Sequence, residues 1–128
     1  MSIAVVQLGS LRKPKEGLRI GTVRRPPRGV PKSEFAKRDF YDIWLPDLSP
    51  SAPLVKEALA SRDQSSFKRF ERKFRREMSE AHASRLLDLL AVLSHQTNMS
   101  IGCYCDDESR CHRSVLRELL LERGAAID

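Results

Sequence analysis

Residues 99–125, MSIGCYCDDESRCHRSVLRELLLERGA, change character part-way through. The first seven are short, largely apolar and bounded by acids, which predicts a strand over 99–105. From Cys111 onward Val115, Leu116, Leu119 and Leu120 recur at helical spacing, and Gly124 offers a C-terminal stop. A strand that feeds an amphipathic helix is the unit of an α/β fold.

The rest of the chain repeats that theme. Three further runs read as strands, SIAVVQLG near 2–9, LRIGTV near 18–23 and FYDIWL near 40–45. Ser51 is placed to cap a helix with Pro53 in its first turn. In SSFKRFERKFRREMSE, Phe67, Phe70, Phe74 and Met78 form one helical stripe. In HASRLLDLLAVLSHQ, Leu86, Leu89, Leu90 and Leu93 are expected to form another. All prolines lie between Pro14 and Pro53, so the first half is turn-rich and the second helical. The expectation is one small α/β domain over 1–128, with a mostly parallel sheet of about four strands flanked by helices.

The totals agree with that reading. With 41% hydrophobic and 31% charged residues, 128 positions suit a water-soluble domain with its own core. No apolar run approaches the roughly 18 residues a membrane helix needs, so no membrane association is expected. The first residues read as a strand rather than a secretion signal, and three cysteines is an odd number. Both points make a cytoplasmic location with free thiols the expectation. The net charge of +6 is local in origin. Residues 11–38 carry ten Lys/Arg against two acids, and residues 65–79 carry six against two. Such a surface favours anionic partners, small phosphorylated or carboxylate molecules or nucleic acid.

In parallel sheets ligands bind beyond the carboxyl ends of the strands. Three expected strands end in chemically loaded stretches, RRPPRG, PDLSPS and CDDESRCHR. Sharing one sheet would bring them to one rim. In the last stretch Cys105 is expected to end the strand, on the same face as Cys103. Ser109 is expected to cap the next helix, which puts Cys111 and His112 in its first turn. Amides there favour a thiolate at Cys111, and Arg113 adds to this. Asp106, Asp107 and Glu108 argue the other way, because nearby negative charge raises a thiol pKa and repels phosphate.

A metal reading takes Cys103, Cys105, Cys111 and His112 as zinc ligands. Two to four residues usually separate paired ligands, and adjacent Cys111 and His112 depart from that spacing. No cofactor is therefore assigned, with zinc kept as the alternative. The plainest reading puts the cysteines in the core, since Cys111 and His112 precede Val115 and Leu116 by four.

Arg25 and Arg28 follow the second strand and are spaced to hold a carboxylate or phosphate. A solvated turn whose arginines pair with Asp42, Asp47 or the acidic loop at 106–108 is the competing reading. Lys68, Arg69, Arg72, Lys73, Arg75 and Arg76 interleave with the phenylalanines and make a wet basic face, open to nucleic acid or simply to solvent.

These segments resemble the DUF488 family (domain of unknown function 488), and within it the YeaO-like branch, over nearly the whole length. GLRIGTVRRPPRGVPK is similar to the branch's G-x-R-I-x-V-D-R-x-W-P-R-G-I-x-K through Arg25, Pro27, Arg28, Gly29 and Lys32. Arg24 stands where the branch has Asp, and Pro26 where it has Trp. Trp44, Pro50 and Ser51 match a W…(T/S)-P-S element, and FKRFERKFRREM resembles an F-R-x-x-Y segment. Cys103, Cys111, His112 and Arg113 fall on a wider signature, C-x-E followed by C-H-R, with Cys105 where Glu is common. The resemblance implies a small cytoplasmic α/β domain and no established reaction. Some relatives keep the histidine without the cysteines, which shifts weight toward His112 with Arg25 and Arg28. The expected site thus combines Arg25, Arg28 and Arg113 as anion holders with His112 and Cys111 as catalytic groups, and with Ser51 and Cys105 alongside. Two other readings remain: a nucleic-acid-associated protein using 11–38 and 68–76, and a metal-stabilised Cys/His module.

Overall fold

The computed structural model describes residues 1–128. Four strands, β1 (Ile3–Gln7), β2 (Leu18–Gly21), β3 (Ile43–Trp44) and β4 (Met99–Cys103), form one wholly parallel sheet in the order β1-β4-β2-β3. Helices α1 (Ala52–Ala60), α2 (Gln64–Met78), α3 (Ala81–Leu93) and α4 (His112–Glu122) complete the small α/β domain. No helix is long and apolar enough to cross a membrane.

The last strand in sequence enters between the first two, so every residue of β4 is buried. Gly102 lies opposite Val6 on one side and Gly21 on the other. Gly21 is required by what covers it, since a Cβ there would come within 2.4 Å of the Tyr41 ring. The main core gathers Ile3, Ile20 and Ile101 from the sheet with Phe67, Phe70, Phe74 and Met78 from α2 and Val115, Leu116, Leu119 and Leu120 from α4. Burying each of these larger side chains contributes roughly 1.5–3 kcal/mol.

A second anchor is polar. Arg19 is fully buried on β2 and forms a two-pronged pair with Glu16, at 2.7 and 2.9 Å. Its remaining nitrogen donates to the carbonyls of Ser10 and Asp39, and Ser100 of β4 donates to Glu16 at 2.8 Å. Burial alone would raise the Glu16 carboxyl pKa, but the bonds from Arg19 and Ser100 outweigh it and hold it below the usual range. The network ties the loop after β1 to the two central strands.

Several local expectations are corrected. The third strand spans two residues rather than 40–45, because Phe40 folds back to the Phe35 carbonyl and Asp39 takes a left-handed φ of 62°. The fourth strand ends at Cys103, so Cys105 lies past it and does not share the strand's alternation. Helix α4 begins at His112 with Cys111 at its N-cap position, not at Ser109. Asp107 takes the Ser109 amide and hydroxyl into a separate 3₁₀ turn, Glu108–Arg110. Helix α3 is rotated from the expected stripe: Ala83, Leu87, Leu90 and Ala91 are buried and Leu89 is half exposed.

Candidate functional site

The carboxyl ends of β2 and β4 open onto a cavity of about 870 Å³. Its walls come from the stretches that follow β2, β3 and β4, from helix α1, from Phe70 of α2 and from the start of α4. Val23, Pro50, Pro53, Val55, Ala58, Leu59 and Phe70 make it largely apolar. Arg25, Lys56 and Arg110 are exposed cations on its lining, and none of the three side chains has an ion-pair or hydrogen-bond partner. Cys103, Cys105, Cys111 and His112 line it as well.

Arg24 and Arg25 part company at the strand exit. Arg24 turns to the chain after β3 and donates to the carbonyls of Pro46, Ser49 and Pro50 at 3.0–3.1 Å. It therefore holds the wall that carries α1. Trp44 adds to this by donating to the Val23 carbonyl at 2.7 Å. Arg25 stays free, while its own carbonyl accepts from the Tyr104 hydroxyl at 2.9 Å, joining the two strand ends.

His112 is fixed from several sides. Its Nε2 lies 2.7 Å from the Thr22 carbonyl, which can only accept, so Nε2 carries the proton. The Thr22 hydroxyl in turn donates to Gly102 at 3.0 Å, and Phe74 packs edge-on against the imidazole. Nδ1 is left with a lone pair directed at Cys111 Sγ, 3.6 Å away. Burial lowers the imidazole pKa to about 4, against the bond to Thr22, so the ring is neutral at pH 7.

The sulfurs cluster beside it. Cys103 Sγ and Cys111 Sγ are 2.8 Å apart, and with His112 Nδ1 all three atoms lie within 4.8 Å of one another. Cys103 and Cys111 are buried and Cys105 is exposed. The neighbouring thiols of Cys103 and then Cys111, with Arg113 nearby, depress the Cys105 thiol pKa. The same neighbouring thiols, Cys105 and then Cys111, together with burial, raise that of Cys103. Arg113 is buried, donates from Nη2 to the Cys105 carbonyl at 2.6 Å, and leaves Nε without a partner.

The acidic loop is held by partners of its own. Asp106 accepts from Gln7 at 2.7 Å, Asp107 accepts from Ser109, and Glu108 pairs with Arg117 at 2.6 Å. None of the three lines the cavity.

Of the expected site residues, Arg25, Cys105, Cys111 and His112 share the cavity, and Arg113 contacts Cys105 from within the protein. Arg28 is exposed and outside the lining. Ser51 caps nothing with its side chain; its hydroxyl and amide both donate to Glu77, in a smaller polar cavity next door. Lys56 and Arg110 were not foreseen. Their only sequence signal is a lone cation inside a helix and another inside an acidic loop.

The model of a family described as the active DUF488-N3 subclade matches residues 3–124. The chain belongs to the DUF488 family. Within the family the matching model is that of the N3a subclade. No curated protein and no solved structure matches this DUF488 chain. The matched span includes the cavity and every residue of the sulfur cluster.

Proposed function

We propose that the cavity at the carboxyl ends of β2 and β4 is the working site of an enzyme that acts on a small anionic molecule with an apolar body. The observation that carries this reading is the grouping of three unpartnered cations, Arg25, Lys56 and Arg110, around an otherwise apolar cavity with sulfur at one wall. Three charges of one sign around one cavity raise the local potential for an anion. The apolar wall takes the body of the molecule, and the polar groups set its orientation. Cys105 is the cluster sulfur open to the cavity, and it is the group assigned to meet the substrate. His112 has its proton committed to Thr22 and is a positioning residue for the sulfurs, not a titrating acid or base at neutral pH. The description of the matching subclade as active agrees with an enzyme.

Phenyl phosphate and inorganic phosphate are the probes that test it. Calorimetry should give tighter binding for the phenyl ester, because only that probe occupies the apolar wall. Arg25→Ala and Arg110→Ala should each weaken both probes several-fold. Equal, weak binding unaffected by either substitution would remove the reading.

A second reading rests on α2. Lys68, Arg69, Arg72 and Arg76 are exposed there and have no acidic partner, unlike Lys73 and Arg75. A nucleic-acid surface on this face predicts affinity that falls with salt by about 0.9 log unit per log[salt] for each phosphate neutralised. A flat salt response would exclude it.

A further inference from the structure

Four separate features of the sulfur cluster point to the same kind of occupant. The first is convergence: two buried cysteines and one buried histidine, from the end of β4 and the start of α4, bring three ligand atoms within 4.8 Å of one another. The second is the tautomer. A histidine that ligates through one nitrogen usually donates its other N–H to a carbonyl, and His112 does so through Nε2 to Thr22. The nitrogen left over, Nδ1, is the one that faces the sulfurs.

The third feature is distance. In a tetrahedral shell with zinc–sulfur and zinc–nitrogen bonds of usual length, a nitrogen and a sulfur ligand sit about 3.6 Å apart and two sulfurs about 3.8 Å apart. His112 Nδ1 and Cys111 Sγ are already 3.6 Å apart. They reach that spacing although adjacent in sequence, because Cys111 is extended (φ −130°, ψ 156°) just before the helix starts. Cys103 and Cys111 Sγ, at 2.8 Å, would have to separate by about 1 Å. The fourth feature is charge. Arg113 is buried beside the cluster with its Nε unpartnered, and its one bond there is to a neutral carbonyl. Three thiolates and a neutral imidazole around a divalent ion leave one net negative charge, which this guanidinium would neutralise.

We propose that Cys103, Cys111 and His112 Nδ1 bind one divalent ion of the zinc class, with Cys105, which lines the same cavity but stands outside that three-atom group, turning in as the fourth ligand. The ligand set is soft sulfur and nitrogen, which selects zinc over magnesium or calcium. Binding releases to solvent whatever thiol protons the ligands still hold and involves no redox step. Three ligands are buried at the cavity floor, and the Cys105 thiolate is the exposed one that a cavity ligand meets first. The proposal goes beyond the anion reading and stands whether or not the cavity takes a phosphate.

Cobalt(II) is the probe that tests it, added to the reduced, metal-free full chain. The expected result is one equivalent taken up, with the intense visible bands of four-coordinate cobalt and a thiolate-to-cobalt charge-transfer band, all lost when zinc is added. Cobalt left in its weakly coloured six-coordinate form by folded, reduced protein overturns the proposal. So does a Cys103–Cys111 disulfide found by mass spectrometry in acid-quenched cell extracts. Replacing a buried ligand could unfold the chain, so the second arm uses Cys105→Ser at the exposed position. This variant should still bind cobalt, with a charge-transfer band reduced by about one-third, one thiolate in three; an unchanged band overturns the assignment of Cys105. Phenyl phosphate binding, measured with and without metal, separates the two proposals: its failure alone removes the anion reading, and cobalt's failure alone removes the metal.

Discussion

His112 on α4 donates from Nε2 to the carbonyl of Thr22, the residue that follows β2, across 2.7 Å and ninety positions of sequence. This bond seats the first residue of the last helix against the exit of a central strand. It also decides which imidazole nitrogen faces the sulfurs. Long-range nitrogen–proton spectra of the folded, metal-free protein should report the Nε2–H tautomer for His112. A protonated Nδ1 would show that the contact to Thr22 is made differently.

The three thiols should differ sharply in access. Cys105 is exposed, whereas Cys103 and Cys111 are 1% and 3% exposed. In reduced, metal-free protein a bulky thiol reagent should label Cys105 first and reach the other two only as the chain unfolds. Labelling followed by peptide mapping measures this. Equal rates at all three positions would mean that the floor of the cavity opens readily.

Glu16→Gln should be costly. It would leave the fully buried Arg19 with carbonyl partners only, and breaking a buried pair in this way typically destabilises by about 3–5 kcal/mol. The sign of the pH effect follows from the depressed Glu16 pKa. The unfolded carboxyl takes up protons first as pH falls, so this stabilisation is fully present above the unfolded pKa and is lost as pH drops through the lower folded one. Urea midpoints between pH 6 and pH 3 should therefore decline for the natural chain. The Glu16→Gln variant should start lower and lack this part of the decline.

Gly21→Ala tests the packing that positions the site. The added methyl would meet the Tyr41 ring, which is itself buried, so the ring or the strand must move. Overpacking of this kind costs about 1–3 kcal/mol. The prediction is a lower urea midpoint, together with weaker phenyl phosphate binding because the exit of β2 shifts. Unchanged stability would mean that Tyr41 yields freely.

Much of this arrangement was legible in the sequence, for physical reasons that differ from residue to residue. The α2 phenylalanines and the α4 leucines announce their buried faces because polar residues separate them at helical period. The convergence of Arg25 with Cys105, Cys111 and His112 follows from parallel strands, which put their carboxyl ends on one edge. Helix α3 was misread by a fraction of a turn because leucines stand at 86, 87, 89, 90 and 93 and leave the stripe under-determined. The acids at 106–108 look like neighbours of the thiols in one dimension. In three they are claimed by Gln7, Ser109 and Arg117, of which only Ser109 is a neighbour that local spacing assigns. Arg24 and Arg25 are equivalent on paper, and only the carbonyls offered by residues 46–50 separate the structural arginine from the free one. Ser51 looked free for a ligand until Glu77, twenty-six positions away, took both its amide and its hydroxyl.

A crystal structure of the reduced protein soaked with phenyl phosphate tests the central claim most directly. The account predicts the phosphate against Arg25 and Arg110 or Lys56, the ring on the wall formed by Pro53, Val55 and Leu59, and Cys105 Sγ facing the ester. An empty cavity with the anion ordered only along Lys68, Arg69, Arg72 and Arg76 of α2 would contradict it.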